Sequence, residues 1–149
     1  YKMSLHGAPA PEIETTRVVR LGPDDRPILE ALYAESYPGN WFDPRMLETG
    51  EYFGVPEGDR LVSAAGIHVY SERYRVAALG NIVTRPEYRG KGYGTQVTAA
   101  LCTSLHKKDI RTGLNVRADN RSAIISYRKI GFQVTAPYEE YLLARRAEE

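Results

Sequence analysis

Cysteine is nearly absent. Cys102 is the single one in 149 residues, so no internal disulfide can form and thiolates alone cannot build a structural zinc site. It falls in an apolar helical stretch, where a small buried filler is expected. Long apolar runs are missing too. None approaches the ~18 residues of a membrane span, and no charged-then-apolar segment opens the chain. Excess charge of one sign is also lacking: 20 Lys and Arg against 19 Asp and Glu leave a net +1. That balance gives no global attraction to nucleic acid or to an anionic membrane, and any basic patch must be local. His6, His68 and His106 show no ligand spacing, so no metal is expected. Neither a repeat nor a low-complexity tract is present. With one Trp and three Phe against 11 Tyr, aromatic contacts will often bring a hydroxyl that needs a partner.

What is there describes a globular domain. A hydrophobic fraction of 42% and a charged fraction of 26% in 149 residues suit a single core, with the cytoplasm as the default location. The chain opens at Tyr1 rather than Met, as a fragment with an earlier segment removed would. Residues 1–15, with Gly7, Pro9 and Pro11, are expected to be a linker or the tail of such a segment, Lys2 to Leu5 being at most a short extended piece. Residues 16–149 are expected to form the domain.

Within it, Thr16 to Leu21 reads as a first strand, and Gly22-Pro23-Asp24 opens a helix carrying Ile28, Leu29, Leu32 and Tyr33 at helical spacing. Tyr37-Pro38-Gly39-Asn40 stops that helix. Asp43-Pro44 starts a short helix ending at Gly50. Glu51 to Val55 and Arg60 to Tyr70 read as a hairpin, and Tyr74 to Thr84 as a long third member of a meander. A glycine turn follows, then a helix to Leu105, a strand from Ile110 to Val116, a helix capped by Asn120 and ended by Gly131, and a last pair of strands, Phe132 to Thr135 and Tyr138 to Leu143.

The glycine turn, Arg89-Gly90-Lys91-Gly92-Tyr93-Gly94-Thr95, carries chemistry. A strand, a glycine turn and a helix aim several backbone N–H groups and a helix N-terminus at one point, which favours a bound anion, usually a phosphate. A P-loop fits worse, because it needs Lys then Ser or Thr after its last Gly and Gly94 is followed directly by Thr95. A dinucleotide fold would place its glycine turn after an early strand, not after a meander.

Arg89-x-x-Gly92-x-Gly94 resembles the acyl-CoA-binding turn of the GNAT acetyltransferase superfamily. Asn120-x-x-Ala123-x-x-x-Tyr127-x-x-x-Gly131-Phe132 is similar to that superfamily's second signature, and the order of elements matches over residues 16 to 145. The resemblance implies an α/β (α+β) fold: a mixed, mostly antiparallel sheet of six to seven strands with helices on both faces, splayed between the fourth and fifth strands of the domain. It implies an N-acyltransferase that moves an acetyl group from acetyl-CoA, or another acyl-CoA, to an amine of a small molecule or protein by direct attack in a ternary complex. The backbone of Ile82, Val83 and Thr84 would pair with the pantetheine arm. Arg89, Gly90, Lys91, Gly92, Tyr93, Gly94 and Thr95 would cradle the pyrophosphate. Asn120 would bind the pantetheine or cap its helix, Tyr127 would protonate the leaving thiolate, and a homodimer is compatible with the family.

One element of the family pattern is missing. Many relatives carry a Glu on the strand before the turn, whereas Ala77-Ala78-Leu79-Gly80-Asn81-Ile82-Val83 has no carboxylate. Asn81 can orient a water but holds no proton near neutral pH. Glu51, Glu72 and His68 are the candidates for a base, with Glu87 expected to face solvent. Tyr37, Trp41 and Phe42 form either the wall of an acceptor slot or a core plug. Arg111, Arg117, Arg121, Arg128 and Lys129 are candidates for the coenzyme's 3′-phosphate or a solvated face. The alternative function is a non-catalytic acyl-CoA-binding or sensor module of a larger protein.

Overall fold

The computed structural model describes residues 1–141. A seven-stranded mixed sheet runs in the order β2-β3-β4-β5-β6-β1-β7. Its strands are β1 (Lys2–Leu5), β2 (Val19–Arg20), β3 (Phe53–Glu57), β4 (Arg60–Ser71), β5 (Val76–Thr84), β6 (Arg111–Asn115) and β7 (Phe132–Ala136). The helices are α1 (Arg26–Ser36), α2 (Tyr93–Lys107) and α3 (Arg121–Ile130). All pairings are antiparallel except β5 with β6, which α2 connects as a βαβ crossover.

Three expectations are corrected here. Residues 2–5 are not a loose tail. They lie antiparallel between β6 and β7, with Lys2 opposite Asn115 and Leu5 opposite Phe132. Met3 and Leu5 are buried, because alternate residues of a strand share a face. The folded unit therefore starts before residue 16. The place beside β7 is taken by β1, and Tyr138 to Tyr141 form no strand. The rest of that expected strand, to Leu143, lies outside the described residues. The expected first strand, Thr16 to Leu21, shrinks to Val19–Arg20, paired with Gly54 and Phe53.

Helices cover both faces. On one, α1 packs so that the Tyr33 hydroxyl reaches the Asn81 carbonyl of β5. On the other, α2 approaches so closely that a Cβ on Gly94 would lie 3.3 Å from Thr84 Oγ1. Leu29, Leu32, Val97, Leu101, Cys102 and Leu105 are fully buried along the inward stripes of α1 and α2, as their three- and four-residue spacing requires.

Candidate active site

The site grows from β5. Its parallel pairing with β6 runs only from Val76/Arg111 to Ala78/Gly113 and then stops, so the two strands splay. On the other flank β5 stays paired with β4 up to Ser63/Thr84. That ladder holds two bulges. Between the Gly66/Gly80 and Ala64/Val83 pairs, β5 carries the extra residue. Between Ile67/Leu79 and Val69/Ala78 the extra residue is His68 of β4. The second insertion cancels the first, so register is restored on both sides of the site.

Asn81 takes the left-handed conformation at the β5 bulge, with φ +53°, a region that Asn tolerates better than most residues. Arg85 N–H donates to the Val62 carbonyl. Strand alternation therefore turns the backbone of Val83 toward β4 and that of Ile82 and Thr84 toward the open seam. The Thr84 carbonyl accepts from Arg89 Nε.

At the end of β5 the glycine turn delivers α2. Gly90 (φ +76°) and Gly92 (φ +86°) need the left-handed region, and Gly92 is the residue that precedes the helix. The Gly92 carbonyl accepts from Gln96 N–H, while the N–H groups of the first turn stand ahead of the intrahelical ladder. Lys91 lies over the Tyr88 ring, and Arg17 over that of Tyr93, whose hydroxyl accepts from the same guanidinium.

Tyr127 lies on α3, its ring edge-on to Phe132. Burial pushes its phenol up to about 12, with Tyr37 and Cys102 adding to the effect. Among the described residues its hydroxyl has no hydrogen-bond partner, and it is neutral at ordinary pH. Asn120 does cap α3: its Oδ1 accepts from Ala123 N–H at 3.3 Å.

The residues expected to wall an acceptor slot or plug the core lie beside α1 and β4. Phe42 is a plug, packed between Tyr33 and Tyr52. Trp41 is 63% exposed and edge-on to His68, and Tyr37 is 45% exposed. An open cavity of ≈ 210 Å³ lies between α1 and this loop, lined by Tyr33, Tyr37, Asn40 and Phe42 among others. The imidazole of His68 lies directly over Gly80, where a Cβ would meet it at 2.5 Å.

Of the three candidate bases, only His68 reaches the bulge. Glu51 is fully buried, and its Oε1 accepts from Lys108 Nζ at 2.5 Å beyond the C-terminal end of α2. A helix of 15 residues places that end about 22 Å from the glycine turn. Glu72 sits in the hairpin turn after β4, near the Tyr70 hydroxyl. Glu87 faces solvent, paired with Arg60. The five candidate cations for the 3′-phosphate are all exposed, with Arg117 held by Asp119. Cys102 is a filler whose thiol is pushed up to about 12 by burial. Among the described residues no His, Cys, Asp and Glu cluster suits a metal, and no helix is long and apolar enough to cross a membrane.

Sequence reasoning missed Tyr33, Tyr52 and Asn40 as parts of this site. Their only signal is an unusual density of tyrosine before the hairpin.

Comparison with known proteins agrees with this architecture. The model of the acetyltransferase (GNAT) family matches residues 19–132. A protein from Novosphingobium aromaticivorans DSM 12444, described as a GNAT-family acetyltransferase, superposes with a TM-score of 0.75 at 29% identity, over 89% of this chain and 58% of its own. The ribosomal-protein-S18-alanine N-acetyltransferase of Escherichia coli shares the fold (TM-score 0.63, 21% identity, 80% of this chain and 78% of that one). An uncharacterized protein of Mycobacterium leprae is 33% identical over 102 residues, which is 65% of this chain and 27% of that protein. The chain thus spans a little over half of the Novosphingobium protein and about a quarter of the mycobacterial one. The splayed β5–β6 seam, the glycine turn at the start of α2 and the family match over most of the chain lead to one assignment: the chain belongs to the GNAT acetyltransferase family.

Proposed function

We propose that this chain is an N-acetyltransferase that uses acetyl-CoA and an amine, from a small molecule or a protein, in one ternary complex. The observation that carries the reading is the left-handed glycine turn that opens α2 beside the splayed β5–β6 seam, on a chain whose half-buried Tyr127 has a hydroxyl bonded to no protein group among the described residues. The buried hydroxyls of Tyr33 and Tyr52 both have partners, as buried polar groups should. Tyr127, only half-buried, keeps its hydroxyl unbonded by protein among the described residues and so free for a reacting group. The N-terminus of α2 and the N–H groups of Arg89 to Thr95 suit a pyrophosphate, with Gly90 and Gly92 allowing close approach. Ile82 and Thr84 offer backbone groups to an extended pantetheine arm along the seam. Acetyl-CoA supplies a thioester, whose acyl carbon accepts an amine and whose sulfur departs as thiolate. Tyr127, neutral and desolvated, donates a proton to that sulfur. The Ile82 N–H is the donor placed for the thioester oxygen. An alkylammonium near pKa 10 must lose a proton before attack. His68, exposed over Gly80 and covered on one edge by Trp41, is the group placed to take it, directly or through water.

The experiment is thermal unfolding with acetyl-CoA, ATP and NAD, followed by thiol release across an amine panel. At about 100 times its Kd, acetyl-CoA adds about 2.7 kcal/mol, a shift of roughly 5–10 °C. A shift with ATP alone overturns the donor assignment. A shift with acetyl-CoA but thiol release on no amine transfers the chain to the binding-module reading.

A further inference from the structure

The bulge at Asn81 is held by more hydrogen bonds than a strand irregularity needs. Asn81 is 3% exposed, and each of its polar groups for which a bond is seen points to a different element. Its carbonyl accepts from the Tyr33 hydroxyl of α1 at 2.8 Å. Its side-chain Nδ2 donates to the Tyr52 hydroxyl, which in turn donates to the Ile67 carbonyl of β4. Its Oδ1 accepts from Asn40 Nδ2 at 3.1 Å, and Asn40 belongs to the loop that borders the acceptor side. Phe42, two residues further along that loop, is wedged between the same two tyrosines. The Tyr52 ring fills the space over Gly66, where a Cβ would come within 2.1 Å of it.

The consequence follows from peptide planarity. The Asn81 carbonyl and the Ile82 N–H belong to one trans peptide and point in opposite directions. A hydroxyl bonded to the first fixes the aim of the second. Tyr33 therefore points the Ile82 N–H away from α1, and Asn81 Oδ1 ties the same bulge to the loop carrying Trp41.

We propose that Asn81 is a positioning residue. It holds the left-handed bulge so that the Ile82 N–H meets the acyl oxygen, and through Asn40 it makes that aim depend on the conformation of the acceptor loop, residues 37–42. The proposal rests on the acetyl-CoA reading above. It adds a physical link between acceptor entry and thioester polarisation. Asn is suited to the position because it combines tolerance of positive φ with one donor and one acceptor on a short stem.

Calorimetry with acetyl-CoA and with free CoA tests it, since only the former presents the acyl oxygen. Turnover is read in parallel on the best amine of the panel. The wild-type protein is expected to bind acetyl-CoA more tightly than CoA. Asn81→Gly, which keeps the backbone conformation and loses the side chain, should abolish that preference and lower kcat about tenfold or more. Its CoA affinity should stay within about threefold, because the pyrophosphate turn is untouched. Asn81→Asp keeps the acceptor for Asn40 but sets a second acceptor against the Tyr52 hydroxyl, whose one hydrogen is given to Ile67, so it should restore only part of both. Tyr33→Phe should reproduce the loss of preference. Asn40→Ala should raise the amine KM and weaken the preference while leaving CoA binding alone. These two variants carry the test if Asn81→Gly does not fold. Asn81→Gly with lower stability but unchanged preference and kcat overturns the proposal. Equal wild-type affinity for acetyl-CoA and CoA also overturns it while sparing the donor assignment, and binding of neither overturns both.

Discussion

Along β5 the two flanks are built in opposite ways. Toward β4 the strand is paired from Ser71/Val76 to Ser63/Thr84, with both bulges compensated and side chains stitched across it: Ser63 to Thr84, Asn81 to Tyr52, Tyr33 to the Asn81 carbonyl. Toward β6 pairing ends at Ala78, and the Tyr127 hydroxyl of α3 has no protein partner among the described residues. Tyr33 and Tyr52 are buried and Tyr127 is half-buried, yet all three have their phenols pushed upward by burial. The two buried tyrosines commit their hydroxyls to other elements, and the half-buried one keeps its hydroxyl unbonded by protein among the described residues.

The largest effect should come from removing the unpartnered hydroxyl. Tyr127→Phe keeps the ring against Phe132 and deletes one oxygen. Loss of a general acid lowers kcat by about 10²–10⁴, while acetyl-CoA affinity and melting temperature should hardly move. A structural tyrosine would show the reverse, a lower melting point with turnover preserved. Steady-state kinetics beside thermal melts decides between them.

The same comparison can be broken from the closed flank. Gly66→Ala drives a Cβ into the buried Tyr52 ring, which has no room to retreat beneath Phe42 and Asn81. Overpacking of this kind costs about 1–3 kcal/mol or more, so the urea midpoint should fall. The preference for acetyl-CoA over CoA should fall with it if the clamp sets the bulge. A variant as stable as wild type would show that the flank is looser than the Tyr52 packing implies.

How much of this was legible in the sequence depends on distance along the chain. The glycine turn, α2 and the Asn120 cap announce themselves because their determinants are local: positive-φ glycines, helical periodicity, one side chain three residues from its N–H partner. β1 gave almost no signal. Lys-Met-Ser-Leu is too short to show a period, and its partners Asn115 and Ala136 lie more than a hundred residues away. Asn81 looks like an ordinary polar residue in a strand, because its conformation depends on His68 being inserted opposite. The clamp draws on α1, a loop, the residue before β3 and two bulged strands, so no window of sequence contains it. Tyr127 was found by its place in a family pattern, but its lack of a partner belongs to the structure alone.

The shared upward shift makes alkaline pH a third probe. In the unfolded chain these phenols lose their protons near pH 10, whereas folded Tyr52 and Tyr127 hold theirs to about 12. Above pH 10 the unfolded state therefore binds fewer protons than the folded one, and stability falls as pH rises. Their contribution should be complete below pH 10 and lost progressively between pH 10 and 12, with Cys102 adding to the slope from a lower starting point. Urea midpoints at pH 8, 10 and 11.5 measure it. Tyr127→Phe should flatten the slope, and an equal slope in that variant would mean that Tyr127 is more hydrated than its surroundings allow.

The smallest expected effect sits on the open flank, at Asn120. Its Oδ1 caps α3 through a bond of 3.3 Å at an exposed position, toward the weak end of such interactions. Asn120→Ala should therefore cost about 0.5–1 kcal/mol. Asn120→Asp keeps the oxygen and the cap but removes the amide donor, and it adds favourable negative charge at the N-terminus of α3. If Asn120 only caps, the Asp variant should match or exceed wild-type stability and bind acetyl-CoA unchanged. If its amide also reaches a ligand in the seam, the Asp variant should stay stable and bind several-fold more weakly. Melting and calorimetry on this one pair thus separate a residue that shapes the open flank from one that uses it. The same logic of partners that distinguishes Tyr127 from Tyr33 applies here to a side chain with one group committed and one to spare.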